Sequence, residues 1–206
     1  MKGILATILF CLTIIGWSQD YDTIIDRGIY KSYFSYKLQE PIFVSSILYQ
    51  GGGDCDRAKF KFKNDTELSM ADNEEYTHSG YDRGHLANAE DFANNCTYDE
   101  LTFRYYNCLP QTPNLNRGAW KTWETSIRNE SQTDSLLIIC GGIWETNQKV
   151  NDMLIPDYCW KVVYNMHTKA IMYVTMCNNA MENSICNEMK LEELEMRLGY
   201  KVELDW

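Results

Sequence analysis

Tyr81-Asp82-Arg83-Gly84-His85-Leu86 is the stretch on which the reading of this chain turns. A carboxylate, a guanidinium, a glycine and an imidazole occupy consecutive positions, 82 to 85. Only the imidazole titrates near neutrality without perturbation, so His85 is the natural candidate for a general base. Arg83 adds a permanent positive charge beside it, of a kind suited to a phosphate. Gly84 lets the backbone turn tightly or approach a ligand. A surface turn carrying an ordinary salt bridge would use the same residue types, so the string alone is suggestive only.

A second cluster starts 22 residues after His85: Asn107-Cys108-Leu109-Pro110-Gln111, then Leu115-Asn116-Arg117-Gly118-Ala119-Trp120, with Glu124 and Arg128 beyond. A helix starting near Arg117 would gather Trp120, Trp123 and Ile127 into one buried stripe, because each residue turns the helix by about 100°. Arg117, Lys121, Glu124 and Arg128 then form an adjacent charged strip, with Asn116 at the helix start. Asn116 can be read two ways, as an N-cap for free backbone N–H groups or as an oxygen ligand for a hard cation. Glu124 likewise can be a helical salt-bridge partner of Lys121 or Arg128, or a group that holds water at a metal. Phosphodiester hydrolysis needs a base for water, positive charge at the phosphorus and help for the leaving oxygen. Mg²⁺ keeps most of its waters, so one amide oxygen suffices to hold it.

Together the two clusters resemble the DNA/RNA non-specific endonuclease family, which includes mitochondrial endonuclease G and secreted bacterial nucleases. The shared pattern is D-R-G-H, N-x-x-P-Q and L-N-x-G-x-W, followed by glutamate and arginine; it is met here by Asp82–His85, Asn107–Gln111, Leu115–Trp120, Glu124 and Arg128. Asp56-Arg57-Ala58-Lys59-Phe60-Lys61-Phe62 is similar to the arginine-bearing segment that precedes D-R-G-H in the family. The resemblance covers roughly residues 40 to 200. It implies an α+β, ββα-metal (His-Me finger) fold with a mixed or antiparallel sheet flanked by helices. It also implies DNA and RNA as substrates, and Mg²⁺ as cofactor with Mn²⁺ or another divalent cation able to substitute. By the same resemblance His85 activates water, Asn116 is the direct metal ligand and Glu124 orients metal-bound water. Arg57, Arg83 and Arg128 surround the phosphate, while Asp82, Asn107 and Gln111 support the site from behind. Asn88 stands where many relatives have proline, a departure expected to touch no catalytic group. A bridge between Cys96 and Cys108, if formed, would be particular to this chain or its close relatives. Two other readings stay open: a phosphodiesterase acting on nucleotides or small esters through the same site, and a non-catalytic nucleic-acid-binding or toxin-partner module that kept the fold.

The N-terminus is different in kind. Lys2 precedes an apolar run from Ile4 to Gly16, followed by Ser18 and Gln19. That is the layout of a signal peptide over 1–19, with an N-terminal membrane anchor as the alternative. The remaining 20–206 then form one secreted or periplasmic domain with no stable membrane association. Setting Cys11 aside leaves seven cysteines without C-x-x-C spacing. In an oxidising compartment they read as disulfide staples with at least one thiol unpaired. With three histidines and no C-x-x-C, a multi-ligand zinc site is improbable.

A net charge of −10 opposes a polyanion partner unless positive charge gathers at one groove. Residues 41–50 read as a strand ended by Gly51–Gly53, and 57–80 as a long polar excursion. Strands are also expected at 101–109 and 135–141, with a hairpin around Met166–Lys169. Helices are expected at 117–130 and at 187–198, the latter stopped by Gly199. Without regular βαβ alternation the class is α+β.

Overall fold

The computed structural model describes residues 21–206, so the expected signal peptide lies outside the described residues. In chain order the elements are β1 (Thr23–Asp26), β2 (Tyr30–Ser35), β3 (Glu40–Leu48), α1 (Asn73–Tyr76), β4 (Asp82–His85), α2 (Cys96–Thr102), β5 (Cys108–Gln111), α3 (Lys121–Glu130), β6 (Leu136–Ile143), β7 (Lys149–Val150), β8 (Met153–Leu154), β9 (Tyr158–Asn165), β10 (Ala170–Asn178), β11 (Cys186–Glu188) and α4 (Leu191–Leu198). One antiparallel seven-stranded sheet runs β1-β2-β3-β6-β9-β10-β11. A mainly antiparallel sheet with a few helices is an α+β arrangement. Among the described residues no helix is long and apolar enough to cross a membrane.

Strand β6 shows why the sheet has two cores. Its sequence LLIICGGI is apolar without alternation, and every residue in it is buried, as expected where both faces are covered. Leu136, Ile138 and Cys140 face one core; Leu137, Ile139 and Ile143 face the other. The first core lies under the short β4–β5 hairpin, Leu115, Trp120 and Ile127. The second is closed by Leu194 of α4 and by Val202 of the C-terminal tail. Helix α4 stops at Gly199, which adopts φ 76° and gives its N–H to the Glu195 carbonyl at 2.9 Å.

Several expectations change. Residues 101–109 are not one strand. The Asn95 side chain caps Thr97 and Tyr98 and starts a helix through Thr102, and the chain joins β4 only from Cys108. The aromatics Tyr105 and Tyr106 are buried in an irregular turn, so residues of high β-propensity serve packing here and not a ladder. The C-terminal helix begins at Leu191 because Cys186–Glu188 pair with β10. Trp123 is half-buried, edge-on to Tyr173 at 5.4 Å, while Glu124 is buried beside Ile127. Cys96 bonds Cys55, and Cys177 bonds its cross-strand neighbour Cys186. Cys108 is a buried thiol next to the Tyr76 hydroxyl, so the Cys96–Cys108 pairing does not occur.

Candidate active site

The site forms where the β4–β5 hairpin meets the helical segment that follows it. Strand β4 pairs with β5 in register, Asp82 opposite Gln111 and His85 opposite Cys108. Asn107 is fully buried and ties the two motifs together. Its amide nitrogen donates to the Ala87 and Thr102 carbonyls, and its side-chain oxygen accepts from Ala87 N–H, all at 2.9 Å. Gln111 lies against Gly84, where any Cβ would come within 2.2 Å of the Gln111 side chain. Only glycine permits that approach.

After β5 the chain enters a wide, π-type turn over Leu115–Trp120, broken at Gly118 before α3 begins. Wide turns of this kind recur at functional sites. The Trp120 indole donates to the His85 carbonyl at 3.3 Å, fastening the turn to β4. Asn116 is inside the turn and does not cap it; its amide nitrogen donates to Asp82 at 3.0 Å. Asp82 also accepts two bonds from Arg117, at 2.7 and 2.6 Å. Burial alone would raise the Asp82 carboxyl, but the bonds from Arg117 and Asn116 outweigh it and hold the group below its ordinary range. Among the described residues no protein donor reaches the Asn116 amide oxygen, which leaves it available as a ligand.

His85 sits in an aromatic cage, with Phe62 and Phe103 each 4.8 Å away, centroid to centroid. Its Nε2 is buried and has no hydrogen-bond partner. Burial, and secondarily the Arg57 charge, push the imidazole down to about 3, so it is neutral at ordinary pH.

Two adjoining cavities share Arg57, Asn88, Asn116 and Glu124. One, 380 Å³, adds His85 and Phe103; the other, 540 Å³, adds Arg117, Lys121 and Arg128. The wall of the larger cavity carries four cationic side chains against two acidic ones, Glu90 and Glu124. Cations outnumber acids on this wall of an acidic chain, and Arg57, Arg117 and Arg128 are each engaged by a carboxylate. Arg57 pairs with Glu90. Arg128 pairs with Asp91 at 2.8 Å. Burial, partly offset by Arg128, raises Asp91 to about 7.

Arg83 is the exception. Its guanidinium donates to Asn73 at 2.9 Å and lies 4.8 Å over the Tyr76 ring, outside both cavities. His78 and His167 are exposed, the latter in the β9–β10 turn. His78 lines a separate surface depression with Asp72 and Asp152.

Two participants escape the sequence reading. Asn88 accepts from Glu90 N–H at 2.7 Å and from Arg128 at 3.4 Å, and it lines both cavities, so the view that it touches no catalytic candidate is corrected. Its position immediately after D-R-G-H-L-A was the signal available. Lys161 is 2% exposed on β9, with its ammonium 4.2 Å from the Trp120 ring centre. Burial raises the Glu124 carboxyl, and the Lys161 charge is the largest influence opposing it. A lysine inside the apolar run Trp160–Val163 was the hint.

A hard divalent cation fits this donor set. Among the described residues no cluster of three or more His, Cys, Asp or Glu side chains is placed to hold a metal. Asn116 offers a free amide oxygen, Glu124 adds a carboxylate on the same wall, and open volume remains for water.

The family model for DNA/RNA non-specific endonuclease matches residues 15–203. Human mitochondrial endonuclease G is 34% identical over 93 residues, covering 44% of this chain and 31% of that protein. A nuclease of Nostoc sp. is 30% identical over 134 residues, covering 63% and 48%. This chain thus spans about a third to a half of the length of these relatives. A solved EndoG/EndoGI complex superposes with a TM-score of 0.73 at 23% identity, over 85% of this chain and 83% of that one. That likeness concerns the fold. The match along nearly the whole sequence settles the family: the chain belongs to the DNA/RNA non-specific endonuclease family.

Proposed function

We propose that this chain is an exported, Mg²⁺-dependent endonuclease of the ββα-metal class that cuts DNA and RNA with little sequence preference. Residues 1–19 serve as a signal peptide and 20–206 form the nuclease domain, a reading supported by the apolar N-terminal run and by two disulfides. The observation that carries the proposal is the common cavity: His85, Asn116, Glu124 and Arg57 line one space.

The neutral His85 imidazole, which lines this cavity, takes a proton from the attacking water. Arg57 and Arg128 supply positive charge to the phosphate oxygens. Asn116 contributes the protein oxygen that holds the cation, and Asp82 fixes the amide by engaging its nitrogen. Glu124 accepts hydrogen bonds from water beside Asn116. A bound Mg²⁺ supplies Lewis acidity toward the phosphate and the departing 3′ oxygen. Arg83 lies outside the cavities and has no contact assigned to substrate. Recognition through phosphate and charge, with no requirement for base edges, gives weak sequence preference.

The test is digestion of plasmid DNA and of RNA, side by side, with Mg²⁺ and with EDTA, and with a chromogenic diester as a third substrate. Both polymers should be cut internally only when the metal is present. Cleavage of the small diester alone, or binding without turnover in excess Mg²⁺, contradicts the proposal.

A further inference from the structure

The segment that carries Arg57 is fastened to the site by more than its own ion pair. Residues 51–57 run alongside 90–96, the stretch just beyond the His85 motif. Gly52 N–H donates to the Asp91 carbonyl and Cys55 N–H to the Ala93 carbonyl, each at 3.3 Å. Gly53 has φ 151°, and a Cβ there would fall 2.2 Å from the Ala93 backbone, so the two segments touch main chain to main chain. Cys55 is bonded to Cys96, 41 residues away, with 5.4 Å between the Cα atoms. Arg57 follows two residues later in a single 3₁₀ turn capped by Asp56, and its only ion pair is with Glu90 among the described residues.

A lone ion pair that is only partly buried, as Arg57–Glu90 is, orders an arginine weakly. The backbone contacts at 3.3 Å are long, and residues 53, 54, 56 and 58 are exposed. The disulfide is the covalent restraint on this segment. The geometry points to a positioning role: Cys55 and Cys96 hold Arg57 at the wall of the cavity that contains His85. This inference rests on the nuclease reading and deepens it, because oxidation of one cysteine pair then sets how well the substrate phosphate is bound. Cys96 is exposed and Cys55 partly so, so a dithiol reductant reaches the bond in the folded protein, cleaving S–S to two thiols while being oxidised to its own disulfide. The other bridge, Cys177–Cys186, joins paired strands of the main sheet on the far side of β9 from β6 and carries no site residue.

The test is a double-mutant cycle with C55S/C96S and Arg57→Ala, under conditions where melting curves show every variant folded. Loss of the disulfide should lower kcat/KM on DNA by about ten- to a hundredfold, the scale of a misplaced catalytic group, mainly through KM. In the Arg57→Ala background the same loss should cost nothing further. Should C55S/C96S not fold, selective reduction of the native protein, followed by thiol counting, replaces it in the cycle. Hydrogen exchange at residues 51–59 gives a readout independent of turnover and should rise on reduction. Unchanged kcat/KM without the disulfide, an equal loss in both backgrounds, or unchanged exchange would overturn the inference. A wild type that cuts no nucleic acid would sink the nuclease reading instead, and the exchange result would still decide the tether.

Discussion

The two faces of the central sheet are built to opposite rules. The α4 face packs Phe43, Leu137, Ile139, Trp160, Val162 and Leu194 into an apolar layer. Its buried carboxylate, Glu195, is satisfied by Lys201 and by Val202 N–H. The face beneath the β4–β5 hairpin has a comparable apolar core but also buries Lys161, Glu40, Asn107, Gln111 and Glu124. On that side Glu40, His85, Asp99 and Gln111 have buried polar atoms without protein partners. Unpaired buried polar groups are costly; among the described residues the α4 side has one such atom, the Tyr200 hydroxyl beside Phe43, and of the groups on the other side His85 lines the groove. The contrast teaches that both faces hold the fold together, while the buried charged and amide side chains gather on the face that carries the candidate site.

Substitutions should divide along that line. The largest effect on turnover in this set is expected for Asn116→Ala, which should lower kcat/KM by about a hundredfold or more while the melting temperature barely moves. A parallel loss of stability would break the comparison. Leu194→Ala, on the opposite face, should destabilise by about 2–5 kcal/mol in denaturant titrations yet leave activity per folded molecule intact. Asn88→Ala should cost less, about ten- to a hundredfold in kcat/KM, because Asn88 acts through the side chains it engages, Arg128 and Glu124; Asn88→Asp should recover little, since the amide has no net charge. The pH dependence sharpens the same division. His85 is held well below its unfolded value, so its contribution to stability is complete above about pH 6.5 and is lost as pH falls toward about 3. Wild type should therefore lose stability relative to His85→Ala between pH 6.5 and 4, whereas Leu194→Ala should parallel wild type. The smallest effect is expected for Lys121→Ala. This exposed groove cation has no ion pair among the described residues. Its loss should reduce the slope of log affinity against log salt by about 0.7–0.9, with kcat unchanged.

The α4 face was the more legible in sequence. Strand β6, the β9–β10 hairpin and the Gly199 stop follow from apolar runs, turn positions and a helix terminator, all local signals. The wide turn at 115–120 was not legible, because helical spacing hides a backbone break at Gly118. The strand expected at 101–109 failed because β-prone aromatics were used as core fillers. At the site, His85, Asn116, Glu124 and Arg128 could be picked out by motif. Their burial could not, and neither could Lys161, whose neighbours come from α3 across the sheet-to-helix packing. Arg83 shows the converse limit: adjacency to His85 in sequence did not bring its guanidinium into the groove. The cysteine pairs depend on which loops meet in space, which no spacing rule gives.

The most direct measurement is turnover of plasmid and RNA by His85→Ala beside wild type, in Mg²⁺, at matched folded concentration. If the imidazole and the amide-held cation act on one phosphodiester from opposite sides, the variant should lose about 10²- to 10⁴-fold in kcat while retaining metal and nucleic-acid binding. A folded His85→Ala protein that cuts at the wild-type rate would contradict the account.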